Sequence, residues 1–423
     1  MAWPHRASRR HTAVVPATTD LHDLLADARA AMPELLEIRR ALHRRPEVGL
    51  DLPETQSTIA TDLTDLGLDC ELGRGLTSVV ARIEGTGDGA AGGPTILLRA
   101  DMDGLPVQED TGLPFASTAA GTMHACGHDL HVTMLLGAVR LLLARRDLLN
   151  GRVLLMFQPG EEGYHGAKLM LEEGLLESAG PARAPSEAFA IHIGTRYPTG
   201  TINLRPGAML AANDTLRIVV RGRGGHASTP HLAVDPIPVA AEIVLALQTM
   251  VGRRVDVFDP AVVTIAHLAA GTTTNIIPEA ALLEGTIRTV SERARVEVMA
   301  MIPGLVHAIA AAHGASAEVS IVPGYPVTVN DPAMSEVVTA LATDLIGADS
   351  VHTLADPIMG AEDFSYVLQR VPGAFAFLGA RPPAEDPATA PQNHSNRVVF
   401  DEAAMPVGMA LYAAMALRAL APR

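Results

Sequence analysis

Between residues 215 and 322 the apolar pattern switches period repeatedly, and that block limits the fold more than any other part of the chain. Residues 215–221 alternate, with Leu216, Ile218 and Val220 on one face, the two-residue period of a half-buried strand. Residues 236–251 follow helical spacing, with Ile237, Val244, Leu247 and Val251 facing one way. VVTIAHL and ALLEGTIRTV read as strands, residues 292–313 as a second helix and AEVSIV as a closing strand. The order β-α-β-β-α-β is the split βαβ, or ferredoxin-like, pattern, and roughly 110 residues suit one small α+β domain.

On both sides of this block strands and helices alternate instead. Helix is expected from Leu21, interrupted at Pro33, resuming through ELLEIRRALHRRP, and again over residues 54–66. LTSVVARIEG and PTILLRADMD read as strands, VLLMFQP as a buried strand and GAKLMLEEGLL as a helix. From His128 the spacing of Leu130, Met134, Leu135, Ala138, Leu141 and Leu142 is helical. The expected fold class is therefore α/β, a catalytic domain whose central sheet is flanked by helices, interrupted by the inserted ferredoxin-like domain. A chain of 423 residues predicts two or three domains at roughly 150 residues each. The pattern assigns a flexible tail to residues 1–20, the main domain to 21–211 and 323–423, and the insert to 212–322. TGDGAAGG contains a formal G-x-G-x-x-G, but Pro94 and a β-rich run follow it where a phosphate site needs a helix. It reads as a flexible hairpin loop.

Composition serves mainly to exclude. With 48% hydrophobic and 19% charged residues the chain is globular, not disordered. Its 32 basic and 47 acidic residues leave a formal charge of −15. That argues against nucleic acid or an anionic membrane as partner, because a phosphate backbone demands a basic face. No segment reads as membrane-spanning: LLGAVRLLLARR, the most apolar helix candidate, breaks at Arg140, short of about 20 apolar residues. The first residues carry Arg6, Arg9 and Arg10 but no apolar run of a secretory signal, so the expectation is a cytoplasmic protein. Two cysteines, Cys70 and Cys126, are too few for a disulfide framework.

The densest chemistry is MHACGHDLH, residues 123–131, which packs His124, Cys126, His128, Asp129 and His131 into a glycine-containing turn entering a helix. A thiolate and an imidazole two residues apart suit zinc, and imidazole with carboxylate also admits manganese or cobalt. A buried structural cysteine beside capping and surface histidines fits the same spacing. QPGEEG places Glu161 and Glu162 after a buried strand; paired acids are commonly a solvated turn. Loops leaving strand carboxyl ends are also where α/β proteins build sites, and two carboxylates there can divide metal binding from proton transfer. His192, His226, Asn275, Arg288 and His394 are uninformative singly, and Arg288 shares a strand face with Glu284 and Thr286 as a solvated sheet face would. A serine elbow, a zincin helix and a Walker A loop are all missing.

Taken in order, IRRALHRRPEVGL, LLRADMDGLP, MHACGHDLHVTMLLGA, QPGEEG with GAKLM, HIGTRYPTG, GRGGHASTPHLAVDP, GTTTNIIPEAALLEGTIRT, GAEDFSY and NHSN resemble one family. It is the dinuclear metal-dependent amidohydrolases and metallopeptidases that include aminoacylases, hippurate hydrolases and auxin-conjugate hydrolases. The match runs from about Leu35 to the C-terminus. The resemblance implies two divalent metal ions (manganese, zinc, cobalt or nickel) on Cys126, His128, Glu162, His192 and His394, with Cys126 a candidate bridge. It implies Glu161 as general base and acid, and Asp103 as the residue orienting the metal shell. His226, Asn275 and Arg288, in the inserted lid, would meet the substrate's carboxylate or developing oxyanion. A homodimer through the lid is the implied assembly.

The expected activity is hydrolysis of the amide of an N-acyl amino acid, a small-molecule substrate. A dipeptidase or carboxypeptidase on the same scaffold, or a binding homologue without turnover, are the alternatives. Two features depart from the family pattern: His165 stands where relatives often carry a small residue, and NHSNRVVF is a variant of the usual sequence. Both bear on specificity more than on mechanism.

Overall fold

In the computed structural model, residues 21–180 and 183–422 are described, so the expected tail lies outside them. Two compact units form. The first runs up to Gly207 and takes in Asn330–Ala355 and the chain from Val367 on; the second is Ala208–Val329 with Asp356–Tyr366.

The first unit is built on an eight-stranded mixed sheet. Its centre is a parallel set, Arg152–Gln158, Thr95–Asp101, Glu187–Pro198 and Gly373–Arg381, in that order. Every residue of Thr95–Asp101 is buried, as the continuous apolar run of a strand covered on both faces requires. Val79–Glu84 and Cys70–Leu72 extend one side, Ile202–Leu204 and Val351–Thr353 the other.

The expected hairpin around TGDGAAGG does not form. Arg152–Gln158 lies between the two runs, antiparallel to Val79–Glu84 and parallel to Thr95–Asp101. The glycines make room for it: a Cβ on Gly85 would stand 1.9 Å from Leu149 O, and one on Gly93 1.8 Å from Asn150 O.

The expected break at Pro33 is absent too. Leu21–Arg44 is one continuous helix, and Pro33 is exposed, so the hydrogen bond its ring removes falls on the solvent side. Its inner face, with Leu24, Ala28, Leu35 and Leu42, packs on the helices His128–Leu143 and Met405–Ala419. The latter two interlock. A Cβ on Gly137 would meet Met409 Sδ at 2.1 Å, and one on Gly408 would meet Met134 Sδ at 2.2 Å.

The second unit is a four-stranded antiparallel sheet ordered Ala261–Ala270, Ala280–Thr289, Ala212–Arg221 and Ser316–Pro323. The helices Pro236–Arg254 and Glu292–Ala312 pack against it, giving the ferredoxin-like arrangement read from the sequence. The buried stripe of the first helix is Val239, Ala240, Ile243, Leu247 and Met250. Ile237, expected on that stripe, is 41% exposed, because the helix is turned so that the neighbouring apolar row faces the sheet. Among the described residues, Glu292–Ala312 is the helix whose length and composition would suffice to cross a membrane. Val298, Ile302, Val306 and Ala310 instead set it into this unit's core. Residues 356–366 join the unit through a bridge between Leu210 and Ile358 and a hydrogen bond from Thr328 Oγ1 to Glu362 O at 3.3 Å.

Candidate metal centre

Donor side chains gather at one end of the parallel strands of the first unit. Thr95–Asp101 runs on into Asp103, and Arg152–Gln158 runs on into Glu161 and Glu162. His192 lies within Glu187–Pro198, and His128 opens the helix that follows Cys126. This is the strand-end position at which open α/β sheets place ligands. Between Cys126 and His128 the backbone turns through Gly127 at φ 83°, where an added Cβ would lie 2.5 Å from Ile193 Cγ2. Both the left-handed conformation and the close approach demand glycine there.

Among the donor sets whose ligand atoms lie within 4.8 Å of one another, three draw only on the expected ligands and Glu161: Cys126, His128 and His192; Cys126, Glu162 and His394; His128, Glu161 and Glu162. Cys126 Sγ is 3.4 Å from His192 Nε2, and His394 Nε2 is 3.1 Å from Glu162 Oε1. Cys126, His128 and His192 are buried, Glu162 is half-buried and His394 is exposed. Shared members join the sets into one continuous centre.

Surrounding groups aim the donors. His192 Nδ1 lies 2.7 Å from Ile193 O. A carbonyl only accepts, so Nδ1 carries the proton and the Nε2 lone pair faces Cys126. Asp103 accepts from the amides of Glu161 and Glu162, each at 3.1 Å, and stands 3.3 Å from His128 Nδ1. His394 has φ 73°, and its amide donates to Ala125 O at 2.8 Å. Asn393 Nδ2 donates to Ile193 O at 3.0 Å and to Cys126 O at 3.3 Å.

Two residues outside the expected ligand set complete this shell. Asp101 Oδ2 lies 3.5 Å from His128 Nε2, and its other oxygen holds His131 Nδ1. The Ile193 amide donates to His131 Nε2 at 2.7 Å, so His131 is the Nδ1-protonated tautomer. The available signals were Asp101 two positions before Asp103 and His131 three after His128, one helical turn on.

Electrostatics follow the packing. Burial works against a charged His128, yet Asp101, Asp103 and Cys126 raise its pKa well above the ordinary value. Burial and the neighbouring His131 and His128 push His192 well below it. Hydrogen bonds to Cys126 and Glu162 bring His394 up to about 10.

The donor chemistry fits divalent ions. A thiol, imidazoles and carboxylates brought together and largely buried carry a desolvation cost that cation binding offsets. Sulfur with imidazole suits zinc, and imidazole with carboxylate admits manganese, cobalt or nickel.

The other three expected residues belong to the second unit. His226 pairs with Ile276, and the Ala227 amide donates to Asn275 O at 3.1 Å, so His226 and Asn275 share one corner. The Ser228 amide donates to His226 Nδ1 at 3.1 Å, so Nε2 carries the proton. Arg288 lies on Ala280–Thr289, on the face away from Leu283 and Ile287 of the core. Burial holds its guanidinium below the ordinary value. The structure brings His226 and Asn275 together and leaves Arg288 on the sheet.

Residues 97–418 match the model of peptidase family M20/M25/M40. The chain is 38% identical over 396 residues to thermostable carboxypeptidase 1 of Saccharolobus solfataricus, covering 93% of this chain and 97% of that protein. It is 37% identical over 384 residues to N-acetylcysteine deacetylase of Bacillus subtilis, covering 90% and 96%. Its fold is similar to the crystal structure of a dinuclear metal binding peptidase of the M20 family from Bacillus subtilis. There the TM-score is 0.78, the identity 34%, and the coverage 93% of this chain and 99% of that one.

Proposed function

The chain belongs to peptidase family M20/M25/M40, an amide-bond hydrolase, and from that premise we propose that it cleaves the amide of N-acyl amino acids, releasing a carboxylic acid and a free amino acid. The observation that carries this is the overlap of donor sets around Cys126, with Glu161 buried against them. Cys126, His128, Glu162, His192 and His394 would hold two divalent ions. When bound, these would supply Lewis acidity toward the carbonyl and acidify the attacking water.

Glu161 takes the proton of that water and later delivers it to the departing amine. Asp103 holds the amides of Glu161 and Glu162, so the base and its neighbouring donor keep a fixed spacing. His226 is assigned to the oxyanion and Asn275 and Arg288 to the α-carboxylate, on the motif match alone. The test is Glu161→Gln: turnover falls by about 10²–10⁴ while metal stoichiometry is kept. A folded, metal-loaded variant at the parental rate refutes the mechanism.

The second reading, a dipeptidase or carboxypeptidase, is favoured by the similarity to a carboxypeptidase. Competition between acetyl- or benzoyl-amino acids and free dipeptides separates the two, because only dipeptides bring an α-amine to the reacting centre. Reconstitution with manganese, zinc, cobalt or nickel, with activity measured for each, assigns the metal. A homodimer through the second unit is proposed as well. Ala261–Ala270 is an edge strand there, with Val262 and Leu268 each 46% exposed, and unpaired edges are where chains associate. Sedimentation of the parent and of Leu268→Lys tests it.

A further inference from the structure

The motif IRRALHRRPE supplies none of the proposed donors, yet it holds residues next to them in the chain. Arg39 and His43, one helical turn apart on Leu21–Arg44, are both buried. They converge on Asp129 Oδ2, Arg39 Nε at 2.9 Å and His43 Nδ1 at 2.8 Å. Asp129 is the residue after His128 and is itself fully buried. On its other side His43 faces Glu109, Nε2 to Oε1 at 3.4 Å, and Arg39 Nη1 is anchored on Glu402 at 3.1 Å.

Four residues past His43 the same segment meets a second part of the centre. The Gly104 amide donates to Glu47 O at 2.6 Å. A Cβ on Gly104 would stand 2.9 Å from Pro46 Cβ, so the close approach depends on that glycine. Gly104 is the residue after Asp103. Each end of the His128–Asp103 contact is thus gripped from its next residue by one stretch of chain.

We propose that Arg39, His43, Pro46 and Glu47 form a positioning clamp for the metal centre, setting the spacing between the Asp103 loop and the turn that carries Cys126 and His128. The chemistry favours positioning over bulk stability. Burying two basic side chains costs desolvation that apolar packing would avoid, and buried ion pairs are weak sources of net stability. What such a pair supplies is direction: Arg39 and His43 meet a single carboxylate oxygen and fix the rotation of the first helical turn, hence the ring of His128. Residues that orient metal ligands from behind act in this way. The inference rests on the metal-site reading above and is independent of the substrate.

The test measures zinc and manganese affinity by competition with a chelating dye, alongside kcat and KM at saturating metal. In His43→Gln and Arg39→Met, metal affinity is expected to fall about 10–100-fold, with kcat lowered and KM within about threefold. Arg39→Lys, which keeps the charge but loses the planar fork, covers the case in which Arg39→Met fails to fold, and is expected to fall between parent and Met variant. Leu247→Ala, in the core of the second unit, serves as the destabilised control and is expected to bind metal as the parent does. Folded clamp variants with parental affinity, or an equal loss in Leu247→Ala, overturn the clamp alone. A parent that takes up no metal overturns the metal-site reading and the clamp with it.

Discussion

Asp103 is where a single substitution should separate scaffold from chemistry. Its carboxylate accepts from two successive amides, Glu161 and Glu162, at 3.1 Å each, and it stands behind His128. In Asp103→Ala both amides lose their acceptor. Each stranded buried donor costs about 1–3 kcal/mol, and because Glu162 is half-buried water can satisfy part of the loss, so the expected destabilisation is about 2–4 kcal/mol. Asp103→Asn keeps one acceptor but turns its NH₂ toward the second amide, for about 1–3 kcal/mol.

The metal gives the second magnitude. If the loop no longer holds Glu162 in place, affinity should fall about 10–100-fold, which shrinks the gap in unfolding free energy between zinc-loaded and chelator-treated protein by about 1.4–2.8 kcal/mol. Urea unfolding in both conditions measures the two numbers together. An Ala variant within about 0.5 kcal/mol of the parent, with the same zinc-dependent gap, would show that Asp103 neither holds the loop nor orients the centre.

Other perturbations follow from the same geometry. Gly127→Ala should cost about 1–3 kcal/mol, from the left-handed backbone and the overlap with Ile193 Cγ2, and should lower metal stoichiometry. Adding Ile193→Leu removes the overlapping methyl and should restore only part of the loss; full recovery by urea unfolding would contradict the backbone argument. In the second unit, Arg295 meets Asp214 through Nη2 at 2.7 Å and Nε at 3.0 Å, with both groups buried. Asp214→Ala should destabilise by about 2–4 kcal/mol, because among the described residues the buried guanidinium keeps only Glu292 at 3.3 Å and Gly324 O as partners, and adding Arg295→Met should recover part of it. Burial pushes the Glu109 carboxyl up, but His43, Thr111 and the Ser117 amide outweigh it and bring the pKa from 4.5 to about 2. A depressed carboxylate contributes stability in full above pH 4.5 and loses it as pH falls toward 2. Glu109→Gln should therefore flatten the fall in stability across that window, and an unchanged slope by urea unfolding would rule the contribution out.

Much of the centre was legible in short contiguous motifs. MHACGHDLH places Cys126 and His128 in one turn, and QPGEEG places two acids at a strand end, so local geometry alone keeps those side chains close. The period of residues 215–322 likewise defines the inserted domain, since strand and helix write different spacings into the chain. Periodicity reports that a face is apolar but not which neighbour covers it. For that reason the buried stripe of Pro236–Arg254 moved off Ile237, and the helix ran through Pro33 once its exposed side proved able to lose a hydrogen bond.

By itself, then, the sequence determined the main element types, the inserted domain and a set of candidate donors that the fold brings together. Tertiary structure alone decided the partners. Arg152–Gln158 enters between two strands that adjoin in sequence, because either pairing suits their apolar faces and only the assembled sheet selects one. Asp101 and His131 became orienting groups through contacts across the fold. His43 meets Asp129 across 86 residues, and Arg39 meets Glu402 across 363. No local pattern encodes such separations: a hydrogen bond or ion pair depends on where two side chains arrive in space, and that is settled only when the sheet and its covering helices close around them.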